Sequence, residues 1–275
     1  MAVEYQSGFG NEFASEAEPG ALPVGQNNPQ KPPLGLYTEQ LSGTAFTVPN
    51  QRNRRTWLYR IRPSVRHAWR FTEVDRHLIR SAPNRESDPP IGQLRWDPPP
   101  FPDEATTFLT GLRTVATNGD AHTQIGMAAH IYMATRSMGD SYFYDADGEL
   151  LIVPQDGGLR VSTECGVLEA TPGEIVVIPR GMVFKVELLG DSARGYVCEN
   201  YGTYFELPER GPIGANGLAN PRDFLSPVAA YEDNDQPGEM FVKFDGRLFS
   251  VALDHSPLDD VGWHGSHVPN KYDLR

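Results

Sequence analysis

Cysteine is scarce in this chain of 275 residues, which contains only Cys165 and Cys198. Small secreted domains that depend on disulfides are much richer in cysteine. The sequence also lacks an amino-terminal segment with a basic region, an apolar core and a small-residue cleavage site, and it has no apolar run long enough to span a membrane. These absences predict a cytoplasmic protein that has no membrane partner and is large enough to bury a core without crosslinks.

Positive charge is limited too, with 24 Lys and Arg against 36 Asp and Glu and a formal net charge of −12. Because nucleic-acid binders use net basic surfaces, no nucleic-acid partner is expected. Nine arginines nevertheless fall between residues 51 and 80, against two acidic residues. This stretch is either an anion or RNA groove or a basic face that meets acidic surface in the fold or in a neighbouring subunit. The lack of aromatic stacking residues among the arginines favours the second interpretation.

Sustained helical periodicity is missing, and short β patterns take its place. Residues 1–50 are rich in Gly, Pro, Asn and Gln and predict an extended arm, which we expect to pack against another subunit rather than its own barrel. Residues 51–275 predict one β-rich domain with a proline-rich connection near 83–102. The strand spacing is typical of an all-β sandwich or barrel. The predicted strands include residues 56–62, 129–133, 149–153, 159–163, 174–178, 183–188 and 195–199.

Residues 173–184 resemble the second motif of the cupin barrels, in which a strand and a Pro-x-Gly turn lead to an inward residue. Metal-binding cupins have a histidine at that inward position, whereas this chain has Phe184. The first motif would place a His-x-His pair before Glu149, but residues 142–145 contain no histidine. Since a mononuclear iron or manganese site needs about three N/O ligands, we predict a degenerate cupin-type jelly roll, mainly β with few helices, whose interior is packed.

Three histidines near the carboxyl end are the remaining candidate metal ligands: His255, His264 and His267. Two histidines three positions apart share a face only on a helix, and the glycines and proline around them disfavour a helix. A structural or pocket-lining role is therefore the stronger interpretation, and a metal site the weaker one. His130, in an apolar predicted strand, is interpreted as a buried histidine with satisfied hydrogen bonds.

Several long blocks resemble the homogentisate 1,2-dioxygenases. The most distinctive are FELP at 205–208 and GPIGANGLANPRDFL at 211–225, joined by SGFGNE at 7–12, GQNNPQ at 25–30, YTEQLSG at 37–43, WLYRI at 57–61 and further blocks within 143–155 and 263–272. The blocks are distributed over essentially the whole chain. On this basis the chain is similar to the amino-terminal, larger portion of such an enzyme.

This resemblance implies a non-heme Fe(II) enzyme of tyrosine and phenylalanine breakdown. Such an enzyme opens the aromatic ring of homogentisate with O2 to give maleylacetoacetate, and it forms trimers that pair into a hexamer. The resemblance also implies that two histidines and one glutamate bind the iron while another histidine acts as base. All four lie downstream of the block at 263–272, so we expect the catalytic carboxyl-terminal cupin part to be absent from this chain.

No catalytic, cofactor-binding or metal residue is therefore assigned in this sequence, and no bound Fe(II) is expected. The chain is predicted to be inactive alone and to serve as scaffold and oligomer-forming surface. Two alternatives remain open. One is a non-catalytic binding or assembly protein built on a degenerate cupin. The other is a metalloenzyme that uses His255, His264 and His267.

Overall fold

The computed structural model describes residues 3–25, 31–66, 70–84, 86, 91–95, 97–207 and 219–275. Within these ranges strands predominate, and helix is limited to three short 3-10 turns at Asn50–Arg52, Ser64–Arg66 and Pro221–Asp223. The prediction of a mainly β fold with few helices is confirmed. No helix in the described ranges is long and apolar enough to cross a membrane. Residues 26–30, 208 and 211–218, which belong to three of the sequence blocks, lie outside the described residues.

The described residues form strands in three sheets. In chain order the strands are β1 (Tyr5–Ser7), β2 (Phe13–Glu16), β3 (Tyr37–Ser42), β4 (Arg55–Arg60), β5 (Thr72–Val74), β6 (Leu112–Asp120), β7 (Ile125–Ala134), β8 (Ser141–Asp145), β9 (Gly148–Asp156), β10 (Leu159–Thr163), β11 (Gly166–Ala170), β12 (Glu174–Ile178), β13 (Phe184–Leu188), β14 (Ala193–Tyr201), β15 (Phe224–Pro227), β16 (Gly238–Phe244), β17 (Arg247–Leu253), β18 (Asp260–Gly265) and β19 (Asn270–Asp273). Each predicted strand coincides with one of them or overlaps it.

The two larger sheets form a sandwich. The eight-stranded sheet has the order β1-β15-β19-β12-β9-β14-β7-β6, and the seven-stranded sheet has the order β11-β10-β13-β8-β16-β17-β5. A four-stranded sheet, β2-β18-β4-β3, completes the fold. One hydrophobic cluster takes side chains from all three sheets, including Ile152, Val161 and Trp263. The alternation of buried and partly exposed residues along β10 to β14 follows from the period-two geometry of strands that face this core on one side.

The strand-turn-strand predicted at residues 173–184 is present. β12 ends at Ile178 in the eight-stranded sheet and β13 begins at Phe184 in the seven-stranded sheet, so the turn crosses between the two layers. Gly181 in the turn has a φ of 82°, a conformation that glycine adopts without a steric penalty. Phe184 is fully buried and packs edge-on against Phe143, with ring centroids 5.6 Å apart. The position of the cupin histidine is therefore apolar core in this chain.

The predicted amino-terminal arm contributes strands to the sheets of its own chain. β1 pairs with β15, β2 with β18 and β3 with β4. The expectation that this segment packs against another subunit rather than its own barrel was therefore wrong for these strands. The sequence did not reveal the pairings because β1 and β2 are too short to display a period, and their partners lie near the opposite end of the chain.

The arginine-rich stretch meets acidic groups within the fold. Arg60 is buried, with its Nε 2.8 Å from Glu39 Oε2 and its Nη1 3.2 Å from Asp260 Oδ2. Arg62 Nη2 lies 2.9 Å from Asp233 Oδ1. For these two arginines the interpretation of a basic face against acidic surface is confirmed.

The close approach of central strands at Gly195 gives a stability test. A Cβ added there would lie 2.2 Å from the carbonyl oxygen of Val153 on the neighbouring strand. We expect Gly195→Ala to lower the free energy of unfolding by about 2–3 kcal/mol, because the paired backbones have to separate. Urea denaturation followed by tryptophan fluorescence measures the change.

The matched control is Gly190→Ala, since a Cβ at Gly190 meets nothing within 4 Å. Its free energy of unfolding should stay within about 0.5 kcal/mol of the parent chain. Equal effects of the two substitutions would show that crowding at Gly195 is unimportant.

Candidate functional site

A buried ammonium group surrounded by three carboxylates lies between the two large sheets. Lys243 on β16 places its Nζ 2.6 Å from Asp147 Oδ2 and in contact with Glu199 of β14. Asp145, at the end of β8, supplies the third carboxylate. One ligand atom from each of Asp145, Asp147 and Glu199 lies within 4.8 Å of the others. We call these three residues the carboxylate triad.

The turn between β8 and β9 holds two members of the triad in place. Asp145 Oδ1 accepts hydrogen bonds from the backbone N–H groups of Asp147 at 2.8 Å and Gly148 at 3.1 Å. The Asp147 carboxylate accepts from the backbone N–H groups of Asp245 at 2.6 Å and Gly246 at 2.9 Å. Backbone donors in two turns thus fix the carboxylates, as is usual for charges that are buried.

The charges of this cluster are compensated internally. Burial raises the pKa of Asp145 and of Glu199. For Lys243, burial alone would lower the pKa, but attraction by the carboxylate triad outweighs burial and raises it. The ammonium is therefore charged and occupies the position that a metal cation would take. Lys243 thus forms ion pairs with Asp147 and Glu199 inside the sandwich.

His130 completes the polar interior beside the triad. It is 3% exposed, with its Nδ1 2.9 Å from Thr114 Oγ1 and its Nε2 3.0 Å from Glu199 Oε2. Burial, assisted by the charge of Lys243, lowers the pKa of His130 to about 4. The expected buried histidine with satisfied hydrogen bonds is therefore present and neutral.

A second buried pair, His267 and Glu149, lies on the other face of the eight-stranded sheet. His267 Nε2 is 3.3 Å from Glu149 Oε1, and Glu149 Oε2 accepts a hydrogen bond of 2.7 Å from the backbone N–H of Phe205. The pair borders a cavity of about 30 Å³ that is also lined by Arg54 and Tyr204. This cavity holds roughly one water molecule and is far smaller than pockets for organic ligands, which begin at about 300 Å³.

The electrostatics of the pair favour a neutral imidazole beside a proton-retaining carboxyl group. Burial lowers the pKa of His267 to about 4, and the charges of Arg180 and Arg54 act in the same direction. Burial raises the pKa of Glu149 to about 7, although the backbone N–H of Phe205 opposes this rise. The pair can hold one proton near neutral pH, but its surroundings leave no space for an organic substrate.

The three candidate histidines have different partners. His264, on β18, places its Nε2 2.9 Å from the hydroxyl oxygen of Tyr59. His255 contacts the carboxylate of Asp254, and His267 lines the small cavity. Across the residues that the structure describes, the carboxylate triad is the one group of three possible ligands close enough to share an ion. The absence of a metal ligand from this chain stays a prediction.

Sequence reasoning did not find the carboxylate triad. Residues 142–145 contain no histidine, and the local pattern does not mark Asp145 as a buried charge. A usable signal was present in β16, where Lys243 interrupts the apolar run of Met240, Phe241 and Val242. A lone cation in a buried strand requires buried carboxylates. Which carboxylates these are depends on strand pairing.

The fold and its sites define a class: a mainly β sandwich with internally compensated buried charges. Comparison with known proteins then identifies the family. The chain belongs to the family described as "Homogentisate 1,2-dioxygenase N-terminal", whose model matches residues 4–274. The resemblance stated from the sequence blocks is confirmed.

The similar curated proteins are homogentisate 1,2-dioxygenases. Those of Nitrobacter hamburgensis, Rhodopseudomonas palustris (strain BisB18) and Bradyrhizobium diazoefficiens are 63%, 62% and 61% identical over 271 residues. Each match covers 98% of this chain and 60% of the relative. The chain therefore spans about three fifths of the length of these relatives.

Solved structures resemble this chain over parts of its length. A cupin-2 domain protein from Shewanella frigidimarina is 17% identical with a TM-score of 0.27, covering 32% of this chain and 78% of that chain. W96Y oxalate decarboxylase from Bacillus subtilis is 10% identical with a TM-score of 0.28, covering 59% of this chain and 72% of that chain.

The buried ammonium generates a stability prediction. We expect Lys243→Met to lower the free energy of unfolding by about 3–5 kcal/mol, because it leaves the carboxylate triad buried without a cation. Urea denaturation at neutral pH measures this loss, which should shrink at lower pH as the carboxylates take up protons. Lys31→Met is the control, since Lys31 is exposed, and it should change stability by less than about 0.5 kcal/mol. Similar values for both variants would contradict a structural role for Lys243.

The pKa values of His267 and Glu149 have opposite effects on stability. His267 falls from an ordinary pKa of 6.5 to about 4 on folding. The unfolded chain therefore takes up this proton first, and stability is lost as the pH falls below 6.5. Glu149 rises from 4.5 to about 7, so its contribution is present below 4.5 and is lost as the pH rises toward 7. Between 4.5 and 6.5 the two effects offset each other.

We expect Glu149→Gln to reveal the effect of His267. From pH 7.5 to pH 5, the contribution of His267 should lower the unfolding free energy of the variant by about 2 kcal/mol, whereas in the parent the opposite contribution of Glu149 offsets this loss. Urea denaturation at the two pH values gives both numbers. The double variant Glu149→Gln, His267→Gln is the control and should follow the parent. A single variant with the same pH dependence as the parent would be evidence against a neutral, buried His267.

Proposed function

We propose that this chain is the scaffold and oligomer-forming portion of a homogentisate 1,2-dioxygenase. The enzyme cleaves the aromatic ring of homogentisate with O2 to give maleylacetoacetate, a step in tyrosine and phenylalanine breakdown. The observation that carries this proposal is the match of residues 4–274 to the amino-terminal family model. The relatives at 61–63% identity, which bear the name of this enzyme, support it.

Non-heme Fe(II) is the metal that the family resemblance implies, and the described residues do not fit it. Such a site needs about three N/O ligands that converge and leave coordination positions open. The carboxylate triad is closed by the ammonium of Lys243, and the three carboxyl-proximal histidines have separate partners. We therefore assign the iron, and the binding of homogentisate and O2, to a part of the enzyme that lies outside the described residues.

In this proposal the chain contributes a rigid support rather than reacting groups. Its buried charges are compensated inside the sandwich, and the cavity beside His267 and Glu149 is too small for an aromatic acid. A homo-oligomer in the cytoplasm, with trimers paired into a hexamer, is the assembly that the resemblance implies. The chain alone is inactive because it lacks the converging ligands.

Iron content and oxygen uptake test this proposal. After anaerobic loading with Fe(II) and gel filtration, we expect the chain to retain less than about 0.1 iron atom per molecule, since no open ligand set is available. No O2 uptake should follow the addition of homogentisate. Plasma mass spectrometry and an oxygen electrode give the two readings.

The Nitrobacter hamburgensis enzyme assayed in parallel is the positive control. His264→Ala is the matched variant, and its iron content should equal that of the parent chain. Stoichiometric iron with turnover by this chain alone would contradict the proposal. A loss of bound iron in His264→Ala would favour the alternative metalloenzyme.

A further inference from the structure

The two large sheets present different outer faces. On β10, β11 and β13 of the seven-stranded sheet the outward side chains form ion pairs, which is typical of a face in water. The outer face of β8, β16 and β17 in the same sheet is apolar but is buried within the fold, in a cluster that includes Tyr142, Met240 and Val251. Arg160 Nη1 lies 3.1 Å from Glu169 Oε1, and its Nε lies 3.8 Å from Glu187 Oε2. Lys185 Nζ lies 2.7 Å from Glu232 Oε1.

The eight-stranded sheet has an outer face whose centre is apolar across three neighbouring strands, β9, β14 and β7, with Glu149 of β9 and Arg194 of β14 at its ends. We define the apolar face as the outward residues Leu151 and Val153 of β9, Tyr196 and Cys198 of β14, and Ile125, Met127, Ala129 and Ile131 of β7. The strand register places Tyr196 between Ile131 and Val153. Ile125 is 67% exposed and Tyr196 is 37% exposed. On the edge strand β6, the exposed Arg113 lies opposite Ile131 and borders this surface.

A continuous apolar surface of this kind marks an interaction site, because single exposed hydrophobic residues are ordinary but contiguous ones are not. The contrast with the seven-stranded sheet supports this interpretation. The covering surface has to be apolar opposite the centre of the face, since a charge buried there would find no partner.

We propose that the apolar face is the docking surface for the carboxyl-terminal segment that homogentisate 1,2-dioxygenases have beyond the region matched here. This inference rests on the proposed function. The matched region accounts for 60% of the Nitrobacter hamburgensis relative, and the family model describes an amino-terminal part. Most of the remaining two fifths therefore follows this region in the relatives.

The position of β19 supports the same occupant. β19 lies in the eight-stranded sheet and pairs with β12, which in turn pairs with β9 of the apolar face. In a relative, the polypeptide that follows this strand starts from the sheet that bears the apolar face. A short connection is enough to bring it onto that face, whereas the seven-stranded sheet lies on the opposite side of the core.

Cys198 provides a reporter for coverage of the face. The chain has two free cysteines, and Cys165 is fully buried while Cys198 is partly exposed on the apolar face. A thiol reagent therefore modifies Cys198 selectively in the folded protein. The experiment compares the labelling rate of Cys198 in this chain with its rate in a chimera. The chimera extends this chain with the carboxyl-terminal segment of the Nitrobacter hamburgensis enzyme.

We expect labelling in the chimera to be slower by at least about ten-fold, because reaction then requires local opening of the docked segment. Ile125→Arg in the chimera should restore the rate, since a guanidinium on the face opposes docking. Leu189→Arg is the control, because Leu189 is 48% exposed but lies outside the apolar face, and it should leave Cys198 protected.

Equal labelling rates in this chain and in the chimera would overturn the docking proposal. So would a dimer of the chain alone with Cys198 already protected, because the occupant would then be a second copy. Oxygen uptake by the chimera with homogentisate is the separate reading for the proposed function. If Cys198 is protected in the chimera but no oxygen is consumed, the proposed function is contradicted and the docking proposal is supported. If oxygen is consumed but Cys198 is labelled at the rate of this chain, the docking proposal is contradicted and the proposed function is supported.

Discussion

The ammonium of Lys243 inside the sandwich is the interaction on which the architecture depends. Lys243 belongs to the seven-stranded sheet, Glu199 belongs to the eight-stranded sheet, and Asp147 lies in the turn that joins them. A buried charge without a partner is strongly unfavourable, so the two layers meet in the register that brings these groups together. Apolar packing alone tolerates small shifts between layers. The ion cluster does not tolerate such shifts, because they would separate Lys243 from its carboxylate partners.

A second buried cation, Arg60, fixes the position of the four-stranded sheet against the seven-stranded sheet. Arg60 on β4 contacts Glu164, next to β10 of the seven-stranded sheet, and also Asp260 on β18. Both cations therefore connect segments that are distant in sequence. These clusters are rich in carboxylates, as metal sites often are, yet their cations are supplied by the protein itself. This difference separates the scaffold that the structure describes from the iron chemistry that the family name implies.

Local sequence patterns predict much of the fold. The strands from residue 129 to 199, the crossing turn around Gly181 and the apolar position of Phe184 follow from alternating side chains and turn residues that act within a few positions. Family membership followed from the long blocks, which are specific because of their length. The pairing of β1 and β2 with strands in the carboxyl-terminal part of the chain could not be predicted, because hydrogen bonds between distant backbones leave no local pattern.

The sequence by itself determined the fold class, the family and the absence of histidines at both cupin motif positions, since each depends on residue identity at short spacing. Tertiary structure decided where charge lies. It placed Asp145, Asp147 and Glu199 around Lys243, separated the partners of His255, His264 and His267, and left the apolar face of the eight-stranded sheet partly exposed. Burial and cross-sheet neighbours set these outcomes, and both arise only when segments far apart in the chain pack together.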